Sequence, residues 1–470
     1  MNKIYSIIFL SALIIVVPSS CDDYLDITPE GQVKRDDLLS SAEGFEDALY
    51  GVYAQMRQTT LYGQYLSFYL LEIMSQTLDC YGSTSVTALS SYDYDYSTIE
   101  DAFEDVWTDM YNNISNANSI LTSDLAASPT EYPYTIYRGE AIGMRAFMHF
   151  DLMRIFCEQY TLNPSADGIP YQTDFSLVTP DFESLEENYA HIIADLREAE
   201  SLLADEELYA DTSDFMSDRQ IHFNLYAAQA TLARVYLTKG DLDSAFYYAD
   251  KVISSSPYKL KEKTEVLNDL AGVLSAKETI FGIYYADWYD IVDALLIKTT
   301  SYYSLDPRDD ILDMYEENVN GLDYRSNAYF TTISSGGSEK VRLSKLADVY
   351  EMNDIVSYRP DTLILGINLI RLPEMYYICA EALLDTDYDK AVDYYNEVIN
   401  HRGLEDIEET LTLDIICEER YKEYVGEGQA FFNMKRLNQS ITSCDGSSTY
   451  AASNDIYVVP IPESETENRY

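Results

Sequence analysis

The chain is poor in positive charge. Only 31 Lys and Arg stand against 81 Asp and Glu in 470 residues, for a net charge of −50. That balance argues against a nucleic-acid partner, because phosphate binding needs a basic surface that displaces counterions. Histidine is scarce, with only His149, His191, His222 and His401, and none belongs to an HExxH pair. GxSxG, the P-loop and GxGxxG are also missing, so zinc or nucleophilic hydrolysis has no visible apparatus. Six cysteines without a CxxC pair argue against a structural zinc site and against a disulfide framework. Proline and glycine number 13 and 19, too few for a collagen-like or low-complexity chain. What is present is a 47% hydrophobic fraction, enough for a large core, and 44 Tyr against 16 Phe and 2 Trp. Tyrosine tolerates half-burial, with an apolar ring and a hydroxyl that seeks a partner.

The only long apolar run is Ile4 to Val17, following Lys3 and ending at Pro18, Ser19, Ser20 and Cys21. It is too short to span a hydrocarbon core that needs roughly 20 residues, and its layout is that of a secretory signal. Because a cysteine follows the small residues, it resembles a bacterial lipoprotein signal, with residues 1–20 removed and Cys21 acylated. Pro18 departs from the usual aliphatic residue there. Residues 21–40 then form a lipidated start and tether, and Asp22 and Asp23 resemble a cell-surface export signal. The anchor is expected to be lipid, since no later segment is apolar enough to span. Of the remaining cysteines, Cys80, Cys157, Cys379, Cys417 and Cys444, Cys157 and Cys379 fall on apolar helical faces as small hydrophobes.

Helical periodicity dominates the rest. Leu225, Ala228, Leu232, Val235 and Tyr236 share one stripe, and Leu242, Ala245, Phe246, Ala249, Val252 and Ile253 share another. Lys239-Gly240-Asp241 divides them, glycine ending one helix and aspartate capping the next. Leu232, Ala233, Tyr236, Ala245 and Pro257 match the tetratricopeptide spacing, while its Trp and Phe positions hold Gln229 and Ala249. A looser second pair runs through Met375, Ile378, Cys379, Ala382 and Leu383, then Ala391, Val392, Tyr395, Val398 and Ile399. Ile142, Ala146, Phe150, Met153 and Cys157 make one stripe of a further helix, and Met144, Met148, Leu152 and Ile155 cover its other side. Such a helix belongs at the centre of the core, where Arg145 and Arg154 would partner carboxylates.

Residues 80–98 and 281–345 break this rhythm and read as loops, where binding residues concentrate on a rigid body. The first holds Tyr81, Tyr92, Tyr94 and Tyr96 with Asp93 and Asp95. The second holds Trp288, Tyr289, Tyr302 and Tyr303 with Asp287 and Asp290. Flat rings ringed by carboxylates suit a sugar, which offers C–H groups on its face and hydroxyls at its edge. These eight aromatics are therefore the candidate ligand-binding residues, with Trp288 foremost; local packing is the competing role for each.

The order of motifs resembles the SusD/RagB family over about 450 residues. CDDYLDITPEG at 21–31 is similar to the family's opening and FEDALYGVYAQM at 45–56 to its first helix. VWTDMYNNISNANSIL at 106–121 carries Trp107, Tyr111, Ile114, Ala117 and Asn118 at the family positions. GEAIGMRAFMHFDLMRIF at 139–156 resembles the EA..LRA helix, with Met144 where leucine is usual. LARVYLTKGDLDSAFYYADKVI, RLPEMYYICAEALL, EERYKEYVGEGQAFFNMKRL and VVPIPESETENRY follow in family order, and GIPYQTDFS at 168–176 looks like a shortened family segment. The resemblance implies a mainly α fold: tetratricopeptide-like helix pairs, an α-α superhelix, packed against a loop-rich region. It divides the chain into an N-terminal region, 41–260, and a C-terminal region, 261–470, the latter with loop-rich 281–345 and helices within 371–438.

The resemblance further implies a non-catalytic outer-membrane lipoprotein, exposed on the cell surface, that binds oligosaccharides and delivers them to a SusC-like TonB-dependent β-barrel transporter. It implies that the ligand face is built from the loops at 80–98 and 281–345, with contact to the transporter as a further role for their aromatics. A RagB-like peptide binder and a helical scaffold that touches no nutrient stay open as alternatives. The residues assign no catalytic role: runs such as Asp309, Asp310 and Asp313 read as a solvated face, since a glycosidase needs two carboxyls with separated pKa values. No cofactor and no metal site is expected. Asp385, Asp387 and Asp389 begin like an EF-hand, but Lys390 and Asn396 replace its Gly and Glu, leaving a helix-connecting turn and only adventitious calcium open.

Overall fold

The computed structural model describes residues 34–467 apart from 79–82, 127–131, 211, 269–273, 299–304, 309, 317–321, 336–337, 354–355 and 359–362. The signal segment, Cys21, Cys80, Tyr81, Tyr302 and Tyr303 lie outside the described residues.

Eight helices form a continuous series in which each packs on the next: α1 (Ala42–Met56), α2 (Ser97–Leu121), α3 (Tyr134–Phe156), α4 (Leu185–Leu203), α5 (Leu225–Lys239), α6 (Leu242–Ser255), α7 (Leu372–Leu383) and α8 (Tyr388–His401). The fold is the expected mainly α array of helix pairs. Its boundaries are written locally. Ser184 and Glu187 close a capping box at the start of α4. Asn224 accepts from the Ala227 amide at 2.9 Å to start α5, Gly240 ends it at φ 84°, and Asp241 caps α6. Asp387, in the triple-aspartate stretch, caps α8 and so serves the turn between helices.

Helix α3 is buried on nearly every side. Gly139 and Gly143 permit that contact: a Cβ on Gly143 would lie 2.2 Å from the Phe223 ring, and one on Gly139 would lie 2.7 Å from Leu203. Arg145 forks onto Asp195 at 2.8 and 2.9 Å, and Arg154 pairs with Asp151. His149 bridges Arg145 O (2.9 Å) and the Gln172 amide (3.0 Å); burial lowers its pKa to about 3, so the ring is neutral. Glu140, fully buried, takes Arg219 at 2.6 Å and the Tyr53 hydroxyl at 2.7 Å. Burial alone would raise its pKa, but Arg219 and His222 outweigh it and hold the carboxyl at about 2.

Between α6 and α7 the chain leaves the array, yet α6 and α7 still pack together. This excursion is less irregular than its composition suggests. It contains β1 (Thr279–Tyr284), a hairpin of β2 (Phe330–Ser335) and β3 (Ser338–Leu343), and β4 (Gly366–Arg371), which pairs antiparallel with β1. The 80–98 stretch, also expected as loop, holds the short helix Thr84–Ser90. Two further helices, α9 (Leu413–Tyr424) and α10 (Gln429–Arg436), follow α8, and the short helices Asn454–Tyr457 and Glu463–Glu467 come after them.

A buried ion network ties the excursion to the array. Glu423 of α9, wholly buried, accepts from Arg371 (2.7 Å), Arg402 (3.0 Å to each oxygen) and Arg325 (3.2 Å). Arg325 also forks onto Asp323, Arg371 reaches Glu427 and Arg402 reaches Glu278. Removing one charge from such a buried pair leaves its partners uncompensated, at about 3–5 kcal/mol. Glu423→Gln is therefore expected to lower unfolding stability in urea by that amount, and an unchanged midpoint would contradict the role given to the network. Glu140 supplies a pH test. Its folded pKa lies below the ordinary 4.5, so its contribution is complete above about pH 4.5 and is lost as pH falls through about 2. The stability gap between wild type and Glu140→Gln is expected to close over that window.

Candidate ligand-binding face

Two segments meet at the edge of the array. The first follows α1: Arg57 caps the helix, and after a turn the chain enters a wide helical turn, Tyr65–Tyr69, of the π type that often marks functional sites. Tyr65 and Tyr69 are half-buried and stacked, with centroids 6.0 Å apart. The second is the end of β1 and the short helix Trp288–Val292. Trp288 joins them. Its indole is buried against Phe68, and its Nε1–H donates to Gly63 O at 2.7 Å. Arg57 forms the other link, its guanidinium lying 5.3 Å from the centre of the Tyr285 ring.

With Trp288 fixed beneath, Tyr284 stands exposed, Tyr285 is half-buried under Arg57, and Gln58 and Asp287 are exposed beside them in the chain. The Tyr285 amide is held by Leu365 O at 3.0 Å, so the strand pairing sets this turn. Tyr289 is half-buried, with its hydroxyl on Asp293 Oδ1 at 3.2 Å; burial and that carboxylate raise its pKa, keeping the phenol protonated. The result is an aromatic rim with the Arg57 guanidinium over Tyr285, and with Gln58 and Asp287 exposed next to it in the chain. It presents ring faces and hydrogen-bond groups.

A family model described as starch-binding and associating with the outer membrane matches residues 23–237, and the model of the SusD family matches residues 298–468. The chain belongs to the SusD/RagB family. It is 24% identical to SusD-like protein P2 of Formosa agariphila, over 98% of this chain and 97% of that one. A SusD-like carbohydrate binding protein from Bacteroides vulgatus has the same fold, with TM-score 0.72 and 21% identity over 90% of this chain and 96% of its own. So does a laminarin-binding SusD-like protein, with TM-score 0.67 and 19% identity over 91% and 97% of the two chains.

In this SusD/RagB chain the aromatics expected at the ligand face divide. Trp288 is a correction: it is 3% exposed and serves as the anchor beneath the rim, because its indole N–H is satisfied inside the protein. Tyr92 and Tyr94 are corrected too. They are buried, with hydroxyls donating to Met74 O (2.8 Å) and Ile456 O (2.6 Å), and Tyr92 packs edge-on against Tyr450. Tyr96 is half-buried, bonded to Thr84 Oγ1 at 3.0 Å. The two loop regions touch at their bases, where Leu78 bridges Pro307 and Arg308 N–H donates to Thr77 O at 3.2 Å. Tyr284 and Tyr285 belong to the 281–345 stretch noted as aromatic but were not among the candidate site residues, and Arg57 was not singled out; the Tyr-Tyr doublet after Thr279–Ile283 is a signal of a strand ending on a surface. Trp288→Phe is expected to keep the fold and lose about 1–3 kcal/mol, by leaving Gly63 O buried without its donor; thermal unfolding checks this, and a neutral result would remove Trp288 as the anchor.

Proposed function

We propose that this chain is a non-catalytic glycan-binding lipoprotein of the outer membrane, anchored through acylated Cys21, that captures oligosaccharides at the cell surface and passes them to a TonB-dependent β-barrel transporter. The observation that carries the reading is the rim of Tyr284 and Tyr285 beside Arg57, rigidly mounted on Trp288 in a SusD/RagB body. A sugar ring lays its C–H face on a tyrosine and turns its hydroxyls to groups such as Gln58, Asp287 and Arg57. The laminarin binding of one fold relative supports this ligand class. Anchoring by lipid fits the described residues, among which no helix is long and apolar enough to cross a membrane. The strong net negative charge favours neutral glycans over highly anionic ones.

Calorimetry of the mature chain against neutral oligosaccharides, host-type glycans and peptide digests, with product analysis of the same samples, tests the reading. Saturable glycan binding without cleavage is expected. Tyr284→Ala is expected to weaken it at least fivefold, roughly 1 kcal/mol, with unchanged helical content. Peptide binding alone would replace the glycan by a peptide, and turnover of a glycan would overturn the non-catalytic assignment.

A further inference from the structure

The connection from α8 to α9 begins Leu404-Glu405-Asp406-Ile407-Glu408-Glu409, a run dominated by acids. It is laced along α8. Leu404 N–H donates to Ile399 O at 3.0 Å, Ile407 N–H to Asn396 Oδ1 at 2.9 Å and Leu411 N–H to the Tyr388 hydroxyl at 2.7 Å. Thr412 then caps α9. Between this connection, the two helices and Met314 lies a cleft of ≈ 440 Å³, the size of a small-molecule site.

The charges in the cleft do not balance. Five carboxylates line it, Glu405, Asp406, Glu408 and Glu409 from the connection and Glu418 from α9, and none has an ion-pair partner among the described residues. Asp406 accepts from the Asn400 amide at 2.9 Å. The ammonium group in the lining, Lys422, is engaged by Glu419, which also holds Arg325 at 2.7 Å. An adjoining cleft shares Met314 and Glu418 and adds Arg308, but Arg308 is forked onto Asp310. Both cations that line these clefts are thus already paired. Burial and the like charges of Glu419, Asp414 and Glu409 raise the Glu418 pKa against the pull of Lys422.

A second feature points into the same space. Tyr395 of α8 lines the cleft and is only 4% exposed, yet its hydroxyl has no hydrogen-bond partner among the described residues and is not shut away from solvent. Tyr315, by contrast, is buried with its hydroxyl donating to Lys422 O at 2.8 Å. Burial raises the Tyr395 pKa, so the phenol stays protonated and its oxygen is free to accept. Met314, Ile399, Leu404 and Ile415 give the cleft apolar walls.

The carboxylates are too dispersed for a metal ion. Among the described residues no three His, Cys, Asp or Glu gather as a metal site, whereas calcium takes about six to eight oxygens at one point. An organic cation with several charges has the matching geometry, because methylene groups separate its ammonium groups and lie against apolar side chains.

We propose that the cleft between α8 and α9 binds a linear aliphatic polyamine. Its ammonium groups meet the dispersed carboxylates and the Tyr395 oxygen, and its methylenes lie against Met314, Ile399 and Leu404. The site shares no residue with the tyrosine rim, so it stands or falls apart from glycan capture.

Calorimetry of the mature chain with spermidine tests this, at about 150 mM salt, where exposed charges more than about 8 Å apart are largely screened. One saturable site is expected. Glu418→Gln, and Glu408→Gln combined with Glu409→Gln, should each weaken it about fivefold or more. Tyr395→Phe should weaken it about threefold or more and leave Tm unchanged, because the hydroxyl it removes has no partner inside the protein. Asp174→Asn combined with Asp181→Asn removes two exposed charges outside the cleft and should leave the affinity unchanged. The absence of a saturable site, equal weakening by that control pair, or a Tyr395→Phe variant that loses Tm and keeps its affinity would each overturn the proposal. So would calcium binding with the same dependence on Glu418, or a lysine-rich peptide that binds where spermidine does not.

Discussion

The buried carboxylate of Glu423 is the point on which the architecture turns. Three arginines from distant places in the chain converge on it: Arg325 from the excursion, Arg371 from the junction of β4 with α7, and Arg402 from the end of α8. Each guanidinium has a further acidic partner, in Asp323, Glu427 or Glu278, and Glu419 also reaches Arg325. Hydrophobic burial alone is non-directional and would let the excursion slide over the helices. Interlocked forks have a single geometry, and they place β1 and β4 where the rim of Tyr284 and Tyr285 begins. An acidic protein with only 31 basic residues spends a good share of its arginines inside, on such nodes.

The helical array was legible because its information is local. Spacings of three and four, Gly240 and the caps at Asn224 and Asp241 mark the helices without reference to the rest of the chain. The two-sided apolar pattern of α3 placed it at the centre, and Arg145 and Arg154 found carboxylates as that position demands. Packing of α6 on α7 across the excursion is not local, and no periodicity within either helix announces it. The β1 strand was overlooked although Thr279, Ile280, Phe281 and Ile283 are strand formers, because its partner β4 lies beyond the whole excursion.

The ligand face was harder to read, and the reason is physical. Tyr92, Tyr94 and Trp288 look like surface aromatics, flanked as they are by aspartates. Whether such a ring is a platform or a peg depends on a distant acceptor for its polar atom. Trp288 meets Gly63 O 225 positions away, and Tyr94 meets Ile456 O 362 positions away. The loop regions were rightly singled out as aromatic, but which ring faces water follows from which carbonyl is within reach. The π-type turn at Tyr65–Tyr69 and the Arg57 contact carry no motif at all; they arise where α1 ends against the excursion.

Helix array, ion node and rim form one sequence of constraints: the array positions α9, Glu423 fixes the excursion, Trp288 locks its tip, and Tyr284 is left facing solvent. A crystal structure of the mature chain with a bound neutral oligosaccharide measures this most directly. The account predicts sugar density stacked on Tyr284 or Tyr285, with hydroxyls on Arg57, Gln58 or Asp287, and Trp288 unmoved beneath. Sugar bound elsewhere, as in the cleft of ≈ 550 Å³ beside Arg308 and Tyr421, with the tyrosine rim empty, would contradict it.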